Sequence, residues 1–240
     1  MAARSMEARK TGQQDGVPGG VLRVEPYSAP AFVELMAQAI EAGGPRKGER
    51  TRRRVLWATA VELAEASFAD LNMDRIARRA DVSRAALYQY VGSKEEAVRL
   101  VLTDFQSRTL DIPARAMRGG TILETIERTN RYYIDYFARN AVFMERVREL
   151  RSVMPELIAE KQRVNRRWAE RVIAHVEAHR TEAMPEARLR LRVLALECMI
   201  DDVLREIFVI NNPDFLGCRE NLDLLARELS EIWHGALYRE

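Results

Sequence analysis

Between Leu71 and Val98 the chain reads LNMDRIARRADVSRAALYQYVGSKEEAV, and this stretch constrains the fold more than any other. Asn72 stands where its side chain can accept bonds from the free N–H groups of a helix's first turn. Ile76, Ala77 and Ala80 follow on one helical face, and Ala77 is small enough to let a second helix approach closely. Asp81-Val82-Ser83 interrupts the pattern. Asp tolerates the left-handed backbone that a tight turn requires. Val82 is the apolar residue of that turn, and Ser83 caps a next helix starting at Arg84. In it Ala86, Leu87, Tyr90 and Val91 form an inward side, which leaves Arg84, Ala85, Tyr88 and Gln89 facing out. Gly92 ends the helix, and Ser93-Lys94-Glu95-Glu96 has the Ser-x-x-Glu spacing of a capping box. Two short helices joined by a tight turn form a helix-turn-helix, which lays its second helix into the DNA major groove.

Charge supports this. The net charge is only +2, but it is unevenly spread. Residues 46–99 hold 12 basic and 8 acidic residues, whereas residues 100–240 hold 22 and 23. Most of the excess lies in PRKGERTRRR, at residues 45–54. Basic side chains there, Arg52 among them, are placed to neutralise phosphates, so DNA affinity should fall with salt. Within the reading helix and its flanks, Arg84, Tyr88 and Gln89 are the candidates for base or backbone contact, because Gln pairs with adenine and Arg with guanine. Ala85 and Ala86 can meet a thymine methyl. Ser83, Tyr90 and Lys94 complete the expected interface, with Tyr90 and Lys94 on phosphates. Replacing Tyr88 or Lys94 by Ala should weaken operator binding without unfolding the protein.

IARRADVSRAALYQYVGSKEEAV, preceded by GERTRRRVLWATAVELAEASF as a first helix, resembles the tetracycline-repressor (TetR) family of bacterial regulators. The resemblance covers residues 49 to about 105; beyond 110 it is architectural only. This chain has Asp81 where the family usually has Gly, and Val91-Gly92 where it usually has Phe-Pro. The resemblance implies an all-α fold, with an N-terminal three-helix head joined to a C-terminal helical ligand-binding and dimerisation domain. It also implies a four-helix bundle made by the last two helices of each of two subunits.

The remainder of the chain is organised around that head. Residues 1–27, rich in Gly, Gln, Arg and Pro, are expected to be disordered. A short helix is expected at 29–42, with Ser28 as cap, Pro30 in the first turn and Gly43-Gly44 as its stop. The extension is thus 1–45, the head 46–105 and the helical body 106–240. A connecting helix spans 93–109, and Pro113 with Gly119-Gly120 marks a break. Further helices are expected at 121–138, 140–152, 155–180, 186–210 and 215–238, with Pro155, Pro185 and Pro213 at helix starts. Leu204, Phe208, Leu225 and Leu229 belong to stripes on the last two helices that suit a dimer interface. One reading helix touches too few bases for useful specificity, whereas a two-fold pair reads two half-sites of a palindromic operator.

Aromatic and flexible apolar residues of the middle helices can line a pocket for a small hydrophobic ligand. Tyr133, Phe137, Met144, Val147, Trp168 and Trp233 are the candidates, with Arg148 and Glu197 to orient it and Asn130 and Asn165 as further polar members. YYIDYFARN, the long helix bearing Trp168, and EIWHGALY are similar to the ethionamide-regulator branch of the family, which implies a long apolar pocket. Ligand entry would tilt the connecting helix, change the head spacing and lower DNA affinity. The function expected is a ligand-responsive repressor. A DNA-binding dimer without effector, or an activator, are the alternatives.

Other chemistry is excluded by pattern. His175 and His179 have a metal-compatible spacing but no third ligand nearby in sequence. Glu197, Asp201 and Asp202 are a common acidic helix cluster. No nucleophile elbow, phosphate loop or convergent acid–base set occurs, so no catalytic residue, cofactor or metal is expected. The two cysteines, Cys198 and Cys218, form no CxxC pair. No apolar run reaches a bilayer span and no signal peptide is evident, so a cytoplasmic protein is expected.

Overall fold

The computed structural model describes residues 29–43, 46–117 and 120–239. The expected features at 1–27, Ser28, Gly44 and Gly119 lie outside them. Every regular element among the described residues is helical, as the all-α expectation required. In chain order these are α1 (Phe32–Glu41), α2 (Lys47–Glu65), α3 (Met73–Arg79), α4 (Arg84–Val91), α5 (Lys94–Thr109), α6 (Ile122–Leu150), α7 (Pro155–His179), α8 (Glu186–Arg205), α9 (Leu216–Glu220) and α10 (Leu222–Tyr238). A π-helical turn, Glu206–Ile210, continues α8 and ends at Asn211 in the left-handed conformation, φ 57°.

Local chemistry sets the ends of the head helices. The Asn72 side chain accepts from the Asp74 and Arg75 N–H groups at 2.8 and 3.3 Å, which opens α3. Ser83 accepts from Ala86 N–H at 3.2 Å and opens α4. Asp81 takes φ 54° in the turn between them, and Gly92 takes φ 63° after α4. Only half of the capping box expected at α5 forms. Ser93 accepts from Glu96 N–H at 3.1 Å, but the Glu96 carboxylate turns to Arg99, at 2.6 and 2.8 Å. The reciprocal box lies instead at α6, where Thr121 and Glu124 cap each other's backbone. Thr-x-x-Glu in that position was a readable signal.

Three expectations on helix limits are corrected. The helices read at 121–138 and 140–152 are one helix, α6, kinked at Asn140, which has φ −121° and ψ 17°. The helix read at 215–238 is broken at Asn221, whose side chain caps α10 by accepting from Leu224 N–H at 3.0 Å. The N-terminal helix starts at Phe32 rather than 29, and no side chain of its own segment caps it. Its caps come from α6, about a hundred residues away. Asp135 accepts from Ala29 N–H at 2.6 Å, and Asn140 accepts from Phe32 N–H at 2.7 Å. Asn140 also donates to the carbonyls of Pro30 and Tyr136, at 3.2 and 2.8 Å. The kink therefore frees an amide to anchor α1, and satisfies its own lost backbone bond as it does so.

Among the described residues the core has three apolar clusters. One runs without interruption from α1 through the head to the lower body, and includes Phe32, Leu63, Leu87, Phe105, Tyr136, Phe143 and Leu157. Phe32 is fully buried and meets Phe105 and Phe143 edge-on, with ring centroids 5.3 and 5.2 Å apart. The second joins α6 to the end of α8 and to α10 through Tyr133, Phe137, Leu204, Ile207, Leu225 and Leu229. The third joins α7, α8 and α10 through Ile173, Val176, Val193, Leu196, Trp233 and Leu237. No helix among the described residues is long and apolar enough to cross a membrane.

Candidate functional site

The head is clamped by a buried acid. Glu62 of α2 is shielded from solvent and faces two guanidinium groups of α3, Arg75 at 2.8 Å and Arg79 at 3.0 Å. Arg79 also reaches Glu65 at 2.9 Å. This fixes α3 on α2, and the buried Leu87 and Val91 fix α4 on both. The sequence reading missed Glu62, because a charged residue in an apolar stripe reveals its partners only in three dimensions.

On this support the outward side of α4 carries Arg84, Ala85, Tyr88 and Gln89, all exposed. Arg84 pairs with Asp74 at 3.0 Å and lies 6.0 Å from the Tyr88 ring centre. Ser83 is exposed with its hydroxyl committed to the cap, and Ala86 is half-buried. Tyr90 is half-buried against the head core. The Lys94 ammonium donates to the Ala69 carbonyl at 3.0 Å and sits 4.9 Å over the Phe68 ring. It is thus held beside the recognition helix by its own chain. Arg52 is exposed on the first half of α2.

Behind the head, a cavity of about 620 Å³ opens between α5, α6, α7, α8 and α10. All eight residues singled out for ligand contact stand in its wall: Tyr133, Phe137, Met144, Val147 and Arg148 from α6, Trp168 from α7, Glu197 from α8 and Trp233 from α10. Asn130 and Asn165 line it too. Sequence reading did not find that the connecting helix is also a wall, through Phe105, Gln106 and Thr109. In sequence these look like the inner face of any amphipathic helix.

The polar members of the wall fall into two groups. Tyr133 donates to Asp201 at 2.6 Å, and Lys161 binds the other oxygen of Asp201 at 2.8 Å. Burial, and then the neighbouring Asp201 charge, hold the Tyr133 phenol well above its usual range. Asn130 donates to Ser230 at 3.0 Å. Arg148 pairs with Asp202 and Arg205 with Glu145, at 2.8 and 2.9 Å. By contrast, both carboxyl oxygens of Glu197, the Trp233 indole N–H and the Gln106 carbonyl oxygen are buried with no hydrogen-bond partner. Burial, reinforced by Asp201 and partly offset by Lys161, pushes the Glu197 carboxyl up to about 8.

The stripes expected to pair two subunits are placed differently. Leu204, Leu225 and Leu229 are buried within their own chain, and Phe208 is half-buried 6.3 Å from the Phe137 ring. Such residues are core because α8 and α10 present these sides to α6. The outward sides carry other apolar residues, Leu191 and Leu194 on α8 and Leu224 and Ile232 on α10, with Leu191 69% exposed.

Comparison with known proteins bears on the head first. Residues 55–99 match the family model for bacterial regulatory proteins of the tetR family. The chain carries a TetR-family DNA-binding head. Its fold as a whole is similar to those of three solved regulators. A TetR-like transcriptional regulator from Rhodococcus sp. RHA1 is 19% identical, with a TM-score of 0.56 over 80% of this chain and 97% of that one. A tetR-family regulator from Streptomyces coelicolor is 17% identical, with a TM-score of 0.63 over 78% and 80%. The fatty acid degradation regulator FadR from Bacillus halodurans is 17% identical, with a TM-score of 0.58 over 81% and 97%. No curated protein matches the chain in sequence. Nothing in these matches singles out the ethionamide-regulator branch.

The matched head is the DNA-binding element of bacterial regulatory proteins of the tetR family. Among the described residues, no group of three or more His, Cys, Asp or Glu side chains is placed to hold a metal ion. His175 and His179 stack at 4.2 Å, and His175 Nδ1 lies 2.7 Å from the Tyr238 hydroxyl. The TetR head departs from the family pattern at Asp81, yet this residue reaches the left-handed turn conformation that Gly would supply.

Proposed function

We propose that the protein is a homodimeric, cytoplasmic repressor that leaves a palindromic operator when a small hydrophobic ligand enters the cavity. The observation that carries this reading is the double role of α5. In the head it packs on α2 and touches the recognition helix, and its C-terminal half walls the cavity through Phe105, Gln106 and Thr109. A ligand seated against that wall changes the rest position of α5 and so the angle of α4. Two heads then no longer match two major grooves at once. The ligand acts only through the difference in its affinity for the two arrangements.

At the operator, Arg84, Tyr88 and Gln89 read or brace the groove, with Ala85 and Ala86 against methyl groups. Arg52, Ser83, Tyr90 and Lys94 serve the backbone. Selection of sites from a random duplex library tests the reading. It expects a palindrome with half-sites about one helical turn apart; enrichment of no sequence overturns it. Against the selected site, Tyr88→Ala should weaken binding by about 1–3 kcal/mol while leaving the melting midpoint unchanged. Unchanged affinity removes Tyr88 from the interface.

The second copy docks on the outward apolar face, through Leu191, Leu194, Leu224 and Ile232. An apolar side chain of this size contributes about 1.5–3 kcal/mol when buried, and a carboxylate set against its own symmetry mate adds repulsion. Ile232→Asp should therefore shift the mass seen by light scattering from two chains toward one. A variant still fully dimeric places the interface elsewhere.

A further inference from the structure

Glu197 restricts what the cavity can hold. It is only 7% exposed, and neither carboxyl oxygen has a hydrogen-bond partner. As plain core such a group is expensive: a buried polar side chain is ordinarily paired or replaced by an apolar one. Four cations of the cavity wall are engaged elsewhere. Lys161 is on Asp201, one turn along α8. Arg148 and Arg205 are on Asp202 and Glu145. Arg171 lies 5.2 Å over the Trp168 ring. The wall of the same cavity is also aromatic, with Tyr133, Phe137, Trp168 and Trp233 in it. Aromatic faces attract cations, most strongly where water is excluded.

We infer that the effector is an apolar molecule bearing one protonated amine, for which Glu197 is the counter-ion and the aromatic wall the cradle. This rests on the reading of the cavity as an effector site. A carboxylate ligand would meet the Asp201 charge beside Glu197, and one without a polar group would leave Glu197 unanswered. The titratable groups coupled to Glu197 are Asp201 on its own helix, Lys161 on α7 and Tyr133 on α6; α10 adds Trp233 and Tyr238 to the same cavity wall, and α7 adds His175. Because burial keeps the Glu197 proton on at neutral pH, an arriving ammonium ionises the acid. The proton passes to solvent, and the ion pair remains.

The test uses a matched trio on the full-length protein: 4-phenylbenzylamine, 4-phenylbenzyl alcohol and 4-phenylbenzoic acid, by calorimetry at pH 7 in two buffers of different ionisation enthalpy. The amine should bind about tenfold more tightly than the alcohol, the acid most weakly. Up to one proton should be released with the amine and none with the alcohol. Glu197→Gln should keep the affinity for the alcohol and bring the amine to within about twofold of it. Retained binding of the alcohol by this variant also shows that it is folded. An alcohol that binds as well as the amine, or a preference that survives Glu197→Gln, overturns the amine assignment and leaves the cavity reading standing. Failure of all three compounds to bind overturns both.

Discussion

Replacing Phe32 by alanine should lower the stability of the folded chain by about 3–5 kcal/mol, the range for deleting a large buried aromatic. Phe32 has no exposed surface and lies between Phe105 of α5 and Phe143 of α6 in two edge-to-face pairs. Such pairs add about 0.5–1.5 kcal/mol each beyond the buried area. The cavity left behind cannot collapse easily, because α1 is held at its start by Asp135 and Asn140. Phe32→Leu, which keeps most of the volume, should cost well under half as much. Denaturant unfolding of the two variants against the parent checks this. A loss below about 1 kcal/mol for Phe32→Ala would show that α1 is an ornament on a head that stands without it.

Replacing Glu197 by Gln should act in the opposite direction, and its size should depend on pH. The folded carboxyl is raised from 4.5 to about 8. Between those values the folded chain holds a proton that the unfolded chain has lost. Stability therefore falls as pH rises through that window, and the penalty is complete above pH 8. At 1.36 kcal/mol per pKa unit, the penalty is on the order of 2–4 kcal/mol once relaxation is allowed for. Glutamine carries no such charge. The variant should match the parent near pH 4.5 and exceed its unfolding free energy progressively toward pH 8.5. A difference that does not change with pH would mean that Glu197 is solvated in the folded protein.

The head was legible because its determinants are local. Asn72, Ser83 and Ser93 cap within three residues, Asp81 turns the chain by itself, and the inward side of α4 follows from helical spacing. The cavity wall was legible as an inventory of aromatic residues on the middle helices, but not as a shape, since Phe105 and Tyr133 look alike in a periodicity. What could not be read depends on partners far apart in the chain. Asn140 resembles a gap between two helices until Phe32, 108 residues away, is seen to occupy its carbonyl. Glu62 has its arginines on the next helix. Leu204, Leu225 and Leu229 lie on apolar stripes wide enough to serve two surfaces, and spacing alone does not say which edge α6 covers.

The apolar cluster that runs from Phe32 through the head to Leu157 has a bearing on how the molecule comes apart. Head and lower body share one set of buried rings, so neither can lose its order while the other keeps it. Amide exchange should report α2, α5 and the middle of α6 opening as a single unit. The far end of the body is built on a separate cluster of α7, α8 and α10, tied to the rest through α5 and α6, and should open as a second unit. Two exchange classes, one running through head and lower body and one at the far end, should then mark the molecule.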